Sequence, residues 1–377
     1  MRIAAISDVH LGIRQFTTRE QGRNAREVDV ERAWREAVRQ IVRSNPDLVC
    51  VAGDVFHHAR VSTHAKKAYL DGISKLLATT HADIVIAAGN HDAGKTAEVL
   101  TPLKLADTLD YTERVRTCTA PEVIDVDEAI VTVLPYFVAS GEPHEMYFER
   151  DDTRLNVLVV HGPLDHPNLP PFYTNGAPRV EDLARHFDVI VAGDYHIAMH
   201  LPTSHDCLAF YCGSTERTTS HIWQEEGPHG WMLVDTNSQS RPVRHVPVRT
   251  REMRDIVHDA ETAEDVNRHL QDVLDHYRKK VPERAGEDMV RMTFRGVARD
   301  EKGLVDQDLV RKLKLSCFHF QIGWQFRDAA SLTLADRRVE RKTLREQAEE
   351  FFAADTPEVR ARALTTINPA WAGEVTE

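Results

Sequence analysis

Each of five apolar segments in this chain is followed within two residues by an aspartate, a histidine or an asparagine. Each segment has the length of a buried strand and is apolar apart from one polar residue, its first or its second. The segments cover residues 2–6, 46–52, 82–88, 155–160 and 187–192, and the polar residues after them are Asp8 and His10, Asp54 and His57, Asn90 to Asp92, His161, and Asp194 and His196. One such motif can equally cap a helix or form a turn. Because ligands bind at strand carboxyl ends in open α/β folds, five together predict a binding site.

The side chains at these strand ends predict a site for two metal ions. Carboxylate, imidazole and amide ligands suit Mn²⁺, Fe²⁺ or Zn²⁺ better than Ca²⁺, because imidazole is a borderline-soft ligand. The set contains no thiolate, which argues against a structural zinc site. The two oxygens of Asp54 can bridge ions roughly 3.5–4 Å apart, and such a pair activates water for phosphoester hydrolysis. Asn90, His91 and Asp92 supply a metal ligand, a proton donor and a carboxylate that can orient the imidazole.

The spacing of these motifs resembles that of the calcineurin-like metallophosphoesterases. The family pattern is D-x-H, G-D-x-x, G-N-H-D/E, a later H, and G-H-x-H. This chain has Asp8-Val9-His10, Gly53-Asp54, Gly89-Asn90-His91-Asp92, His161 and Gly193-Asp194-Tyr195-His196. Within that superfamily the chain looks most like the SbcD-type repair nucleases, through residues 8–16, 53–57 and 212–218. The resemblance covers residues 1–245 and is weak beyond them.

The resemblance implies a role for each matching residue. One ion would be held by Asp8, His10, Asp54 and His196, and the other by Asp54, Asn90, His161 and Asp194. His91 would stabilise or protonate the leaving oxygen, and His57 corresponds to a second histidine at the nuclease site. The implied cofactors are two divalent ions, with Mn²⁺ expected first and Mg²⁺, Fe²⁺ or Zn²⁺ as alternatives.

Asp194 departs from the family pattern, which has histidine at this position. A carboxylate can bind the same ion, but it makes the site more negative and harder, which favours Mn²⁺ or Mg²⁺ over zinc. An alternative function follows from this departure, namely a scaffold whose second metal site is impaired. The presence of His91, Asn90 and His161 argues against that alternative.

The net charge of −12, from 47 basic and 59 acidic residues, disfavours tight nonspecific DNA binding by the free chain. A protein that binds DNA passively is usually basic. The charge therefore supports another alternative, a metallophosphoesterase for substrates other than DNA, such as phosphoproteins or small nucleotides. A nuclease is still compatible with the charge if metals, local basic patches and a partner supply the positive field.

Two segments beside the strand ends are candidates for substrate contact. The first is the basic segment 14–26; its residues Arg14 and Arg26, together with Arg217, are predicted phosphate contacts, with ordinary solvated charge as the alternative. The second is the proline-rich loop 162–178, directly after His161. Its Phe172 and Tyr173 either stack on an unpaired base or tuck the loop down onto the domain.

Targeting features predict a cytoplasmic protein. No apolar run approaches transmembrane length, and the N-terminus enters a predicted strand without a signal-peptide pattern. Five cysteines at irregular spacing are typical of reduced thiols. We therefore expect no membrane partner, and association with the nucleoid if the cell is prokaryotic.

The segment pattern predicts an α/β protein of three parts. Residues 1–245 are expected to form a two-sheet β-sandwich flanked by helices, residues 246–335 a smaller α/β domain, and residues 336–377 a helical tail. The resemblance implies the metallophosphoesterase fold, a small domain that caps the site, and a tail that docks on an SMC-like ATPase of the SbcC type. Packing of the tail on the cap is equally compatible. The expected function is a homodimeric, metal-dependent DNA exo- and endonuclease of double-strand-break repair.

Overall fold

The computed structural model describes residues 1–92, 101–109, 113–136, 150–174, 176–219, 221–225, 227–238, 240, 242–279 and 287–327. The chain divides into two compact units. The first contains the described residues of Met1–Arg254, Glu283–Val290 and Cys317–His319, and the second contains those of Asp255–Pro282, Arg291–Ser316 and Phe320–Glu377. The predicted helical tail, 336–377, lies outside the described residues.

Strands and helices alternate through much of the first unit. The strands of the described residues are β1 (Arg2–Ile6), β2 (Arg19–Glu20), β3 (Arg23–Asn24), β4 (Leu48–Ala52), β5 (Asp83–Ala87), β6 (Val115–Cys118), β7 (Glu122–Val126), β8 (Ala129–Leu134), β9 (Leu155–His161), β10 (Val189–Gly193), β11 (Met199–His200), β12 (Leu208–Tyr211), β13 (Gly230–Asp235), β14 (Val243–Pro247), β15 (Met253–Asp259), β16 (Met289–Arg295) and β17 (His319–Gln325). The α-helices are α1 (Ala25–Ser44), α2 (Thr63–Thr79), α3 (Pro171–Thr174), α4 (Val180–Leu183), α5 (Ala263–Lys279) and α6 (Gln307–Ser316). Short 3₁₀ helices cover Pro102–Thr108, Ile222–Gln224 and Glu301–Leu304.

Two six-stranded sheets form the frame of the first unit. The first sheet has the order β14-β13-β1-β4-β5-β6. Its strands β1, β4, β5 and β6 run parallel to one another. The second sheet has the order β11-β12-β10-β9-β8-β7, in which β12, β10, β9 and β8 are parallel. All five predicted apolar segments therefore form strands, three in the first sheet and two in the second.

The core of the first unit lies in layers on the faces of these sheets. Apolar side chains of both sheets, such as Val85 and Val159, share one buried cluster. Helices α1 and α2 cover the other face of the first sheet, where Trp34 is buried and donates a hydrogen bond from Nε1 to the Ala68 carbonyl, 2.9 Å away. The predicted α/β class, with sheets flanked by helices, is confirmed.

The helix α1 shows how the local sequence sets the frame. Its N-cap is Asn24, whose side chain accepts hydrogen bonds from the Arg26 and Glu27 backbone N–H groups. Its C-cap, Asn45, takes the left-handed conformation that ends a helix. The helix thus crosses from β1 to the parallel strand β4, as a βαβ unit requires.

The second unit contains an α/β arrangement of its own. The strands β15, β16 and β17 form a three-stranded sheet, and the helices α5 and α6 lie between them in sequence. The buried face of α5 consists of Val266, Leu270, Leu274 and Tyr277. In the described part of the chain, no helix has both the length and the apolar character needed to cross a membrane.

Candidate metal centre

The end of β9 and the loops after β1, β4, β5 and β10 bring the predicted metal ligands together. Asp8, His10, Asp54 and Asp194 all have positive φ angles, of 51°, 52°, 51° and 98°. This conformation is uncommon for residues other than glycine and persists where surrounding contacts enforce it. Two of these contacts are backbone hydrogen bonds from Asp8 N to Gly53 O (3.0 Å) and from His10 N to Asp54 O (2.9 Å). The strand ends are therefore tied to each other at the site.

One group of donor atoms comes from Asp8, His10 and His196. Their ligand atoms lie within 4.8 Å of one another. The Nε2 atoms of His10 and His196 are 3.2 Å apart, and His196 Nε2 lies 3.8 Å from Asp8 Oδ1. The Oδ2 atom of Asp54 faces this group, 3.7 Å from His10 Nε2.

A second group of donor atoms surrounds His161. Its Nε2 atom lies 3.1 Å from Asn90 Oδ1, 3.5 Å from Asp54 Oδ1 and 3.8 Å from Asp194 Oδ1. The two oxygens of Asp54 thus face different groups. Donors bound to one ion at about 2.0–2.2 Å are separated by roughly 2.8–3.6 Å in octahedral or tetrahedral geometry, close to the 3.1–3.8 Å between the donors here. The donor sets therefore fit two metal ions that share Asp54.

Backbone carbonyls fix the orientation of two of the rings. His161 Nδ1 lies 2.7 Å from the Ala52 carbonyl oxygen, and His91 Nδ1 lies 2.8 Å from that of His57. A carbonyl oxygen can only accept, so each Nδ1 carries the proton and donates it. Each Nε2 is then directed away from its carbonyl, which is the arrangement that supports a metal-binding or catalytic imidazole.

Asp92 corrects one of the sequence-based expectations. Its buried carboxylate accepts hydrogen bonds from the backbone N–H groups of Val55 (3.3 Å), Phe56 (2.8 Å) and Gly89 (2.9 Å). It joins the loop after β4 to the loop after β5 and does not orient the imidazole of His91. The prediction failed because the chain distance from Asp92 to Phe56 gives no indication that they touch.

The electrostatics of the centre suit a cation. Burial opposes a charge on His161, but its hydrogen bond to Asp54 and the charges of Asp54, Asp8 and Asp194 raise its pKa to about 10. Burial raises the pKa of Asp8. Burial and the neighbouring His91 and His58 lower the pKa of His57 to about 4, so this ring is neutral at pH 7. Binding of a metal ion would displace the proton from His161, as metal sites generally require.

Glu225 is a buried residue of the site that sequence reasoning missed. Its Oε2 atom lies 3.5 Å from His196 Nδ1, and its Oε1 atom accepts hydrogen bonds from the Thr219 backbone N–H (2.8 Å) and hydroxyl (2.6 Å). A carboxylate at the Nδ1 of a metal-binding histidine orients the ring and raises its basicity. The sequence contains no motif that marks Glu225, because it acts through the fold of the loop after Gly213.

We expect Glu225→Ala to weaken binding of the ion held by His196 about 10-fold or more, because the ring loses the carboxylate beside its Nδ1 atom and keeps only the Thr218 hydroxyl there, 3.2 Å away. Mn²⁺ titration of the metal-depleted chain measures the change. The matched control is Glu128→Ala, an exposed residue of the turn between β7 and β8. Equal metal affinity in the Glu225→Ala protein and the wild type would contradict this role for Glu225.

The three arginines predicted to contact substrate lie in different environments. Arg14 is exposed over 64% of its side chain, with Nε 3.5 Å from Glu27. Arg217 is half-buried and donates to Thr250 Oγ1 at 3.3 Å. Arg26 is fully buried, paired with Asp29 and Glu216, and donates to the Arg217 carbonyl at 2.7 Å. The prediction for Arg26 is wrong, since a side chain with no exposed surface cannot bind substrate.

A cavity of about 480 Å³ lies beside Arg14 in the first unit. Its lining includes Arg14, Phe16, Arg19, Arg23 and His64, with Glu27 as an acidic member. Arg23 is ion-paired with Glu31, and Arg14 lies 3.5 Å from Glu27, so part of the positive charge of this segment is neutralised. The aromatic pair of the proline-rich loop separates in the structure, because Phe172 is 88% exposed whereas Tyr173 packs against Tyr195.

The chain is similar in sequence to known proteins. The model of the calcineurin-like phosphoesterase family matches residues 1–198. The chain is 26% identical over 272 residues to the DNA double-strand break repair protein Mre11 of Methanocaldococcus jannaschii, with 68% of each protein covered. It is 28% identical over 259 residues to the protein of the same name from Methanopyrus kandleri, covering 62% of this chain and 54% of the relative. A third such protein, from Methanococcus maripaludis, is 30% identical over 223 residues, which cover 57% of this chain and 57% of the relative.

Solved structures were also matched. A metallophosphoesterase from Sphaerobacter thermophilus aligns with 84% of this chain and 99% of its own at 12% identity and a TM-score of 0.33. A dimetal phosphatase from Danio rerio aligns with 62% of this chain and 91% of its own at 14% identity and a TM-score of 0.37.

Proposed function

This chain belongs to the calcineurin-like phosphoesterase family, and we propose that it is a metal-dependent nuclease that hydrolyses phosphodiester bonds of DNA in break repair. The observation that carries the proposal is the position of Asp54. Its two carboxylate oxygens face two separate donor groups, one around His10 and one around His161. That arrangement is the one expected of a site for two metal ions.

Each ion has a proposed set of protein ligands. Asp8, His10, His196 and Asp54 would hold one ion, and Asn90, His161, Asp194 and Asp54 the other. Bound divalent ions, Mn²⁺ first among the candidates, supply an activated water and neutralise charge on the phosphate. The oxygen-rich second group, with carboxylates and an amide, favours Mn²⁺ or Mg²⁺ over softer ions.

His91 is the proposed proton donor to the leaving oxygen. Its Nδ1 proton is held by the His57 carbonyl, so its Nε2 atom is the one that can serve the substrate. The ring is 4.9 Å from the ring of His10, which places it beside the first donor group. His57 stacks on His91 with ring centroids 5.3 Å apart, and we propose that it lines the reacting phosphate as a neutral imidazole.

DNA is proposed as the substrate because the relatives matched over most of this chain are named for DNA double-strand break repair. The exposed Arg14 and Arg19 beside the cavity are the proposed contacts for a phosphate backbone, whereas Arg23 is ion-paired with Glu31. We further propose that the protein acts as an exo- and endonuclease and forms a homodimer. In this proposal the 246–335 region caps the site, the tail docks on an SMC-like ATPase partner of the SbcC type, and the protein is cytoplasmic and associated with the nucleoid.

A second candidate is hydrolysis of phosphoesters other than DNA. The net charge of −12 favours it, since an acidic protein repels a polyanion. The same metal centre would serve both functions, so only the substrate distinguishes them.

We expect the wild type with Mn²⁺ to cleave labelled single- or double-stranded DNA, and His91→Ala to cleave it about 10²-fold more slowly, as loss of a general acid predicts. A generic phosphodiester reporter is assayed in parallel, and metal content is measured for both proteins. The matched control is His81→Ala, an exposed histidine after α2.

The outcomes separate the candidates. DNA cleavage that falls in His91→Ala, with metal content unchanged, supports the nuclease and the role of His91. Cleavage of the reporter but not of DNA, alone or with the ATPase partner present, supports the second candidate. A wild type that binds fewer than two ions contradicts the proposed metal centre.

A further inference from the structure

We infer that Tyr173 is a positioning residue that holds Asp194 as a single-oxygen ligand of the second metal ion, an inference that rests on the proposed metal centre. The phenol of Tyr173 donates a hydrogen bond to Asp194 Oδ2. The other oxygen, Oδ1, faces His161 Nε2 at 3.8 Å. One carboxylate oxygen is therefore occupied by the phenol, and the other is directed to the donor group of the second ion.

Asp194 is already constrained through its backbone. Its φ angle is 98°, and its N–H donates to the Asp8 carboxylate, 3.2 Å from Oδ1 and 3.1 Å from Oδ2. Its side chain is 22% exposed, so solvent alone would leave the carboxylate free to rotate about its terminal torsion. The hydrogen bond from Tyr173 removes this freedom and selects the oxygen that reaches the ion.

Tyr173 is itself held in place by an aromatic cluster. Its ring lies 5.2 Å from that of Tyr195 and 6.5 Å from that of Tyr211. The Tyr211 hydroxyl donates to the Gly162 carbonyl (3.0 Å) and accepts from the Leu164 N–H (2.8 Å). The cluster thus fixes the segment that starts one residue after the ligand His161, and the phenol of Tyr173 is presented to Asp194 from a packed support.

The hydrogen bond has a chemical consequence for the ion. A carboxylate whose second oxygen accepts a hydrogen bond from a phenol does not readily bind a metal ion through both oxygens. It offers one hard oxygen next to the carboxylate of Asp54 and the amide of Asn90. Ligands of this kind suit Mn²⁺ and Mg²⁺. The pair of Tyr173 and Asp194 is therefore expected to set the affinity of the second site and leave the first site unchanged.

The test is a titration of the full, metal-depleted chain with Mn²⁺. Electron paramagnetic resonance measures the bound ion, and no activity measurement is needed. We expect Tyr173→Phe to raise the dissociation constant of one of the two ions about 10- to 100-fold, the usual effect of removing a residue that orients a metal ligand. Asp194→Asn should weaken the same ion at least as much. The matched control, Tyr195→Phe, removes a phenol from the same cluster and should leave both constants unchanged.

The outcomes distinguish this inference from the proposed metal centre. A wild type that binds two ions with constants unaltered by Tyr173→Phe overturns the inference alone. Equal weakening of both ions by Tyr173→Phe and by Tyr195→Phe also overturns it, since loosened packing of the loop would then explain the change. A wild type that binds fewer than two ions overturns the metal centre itself. Circular dichroism of each variant shows whether a loss of binding is a loss of folding.

Discussion

Asp54→Asn will eliminate binding of two ions and lower phosphodiester hydrolysis about 10⁴-fold or more, because both donor groups depend on the same carboxylate. Asp54 Oδ2 is 3.7 Å from His10 Nε2, and Oδ1 is 3.5 Å from His161 Nε2. An amide keeps one oxygen but replaces the other by an NH₂ group, which cannot bind a cation. Asp54 Oδ1 also accepts a hydrogen bond from the His91 backbone N–H at 2.9 Å. The loop that carries the proposed proton donor is therefore held by the oxygen that faces His161.

The measurement for Asp54→Asn is metal content together with the rate on the phosphodiester reporter. The matched control is Asp71→Asn on α2, where the carboxylate forms an exposed ion pair with Lys67. Loss of such a pair changes stability by less than about 1 kcal/mol and should change neither readout. Two bound ions and near-normal activity in the Asp54→Asn protein would contradict a shared carboxylate.

Arg26→Ala is expected to destabilise the chain by about 3–5 kcal/mol, the usual cost of breaking a buried ion pair by removing one partner. The guanidinium is fully buried, 3.1 Å from Asp29 Oδ2 and 3.3 Å from Glu216 Oε1. Asp29 keeps a second partner, because Arg251 binds both of its oxygens at 2.7 and 2.8 Å. Glu216 is 1% exposed. In Arg26→Ala it would remain a buried charge without the guanidinium that it pairs with.

Urea denaturation of Arg26→Ala, Arg14→Ala and the wild type measures this effect. Arg14→Ala is the matched control, because its side chain is 64% exposed and its removal should change the free energy of unfolding by only about 0.5 kcal/mol. If Arg26 contacted substrate instead, its removal would raise KM and leave the stability unchanged. That result would contradict the buried position of Arg26.

The strands and the proposed metal ligands were predictable because they depend on short-range patterns. A continuous apolar run predicts a strand buried on both faces, and all five such runs are strands of the two sheets. Topology places the polar residues at these strand ends close together, since the carboxyl ends of parallel strands meet at one edge of a sheet, and the resemblance to the family assigned each of them to an ion. Asp8 and Asp54 needed no knowledge of distant contacts to be found.

The residues that support the ligands were not predictable in the same way. Asp92 binds backbone N–H groups of residues 55 and 56, and Glu225 reaches His196 from a position 29 residues later in the chain. Arg26 belongs to an arginine-rich segment in which Arg14 is 64% and Arg23 23% exposed, and its full burial against Asp29 and Glu216 distinguishes it. These roles depend on long-range packing, which composition and spacing do not record.

The proline-rich loop shows the same limit within two adjacent residues. Phe172 and Tyr173 are indistinguishable as aromatic residues in sequence, and both base stacking and packing onto the domain were compatible with them. In the structure Phe172 is exposed, whereas Tyr173 packs into the aromatic cluster and binds Asp194. The hydrogen bond to the carboxylate at position 194 distinguishes Tyr173 from Phe172, and the sequence of the loop gives no sign of it.

The ligands of the proposed centre come from strand ends of two different sheets. The concentration of the metal ion therefore affects the stability of the fold as well as the activity. An ion that binds only the folded chain stabilises it by an amount that grows with ion concentration, about 2.7 kcal/mol at 100 times the dissociation constant. Loss of the ion therefore removes this contribution to stability as well as stopping the reaction, while the backbone hydrogen bonds between the loops after β1 and β4 remain. Chelation should lower the melting temperature of the protein, so a cell short of the ion would hold a less stable chain as well as an inactive one.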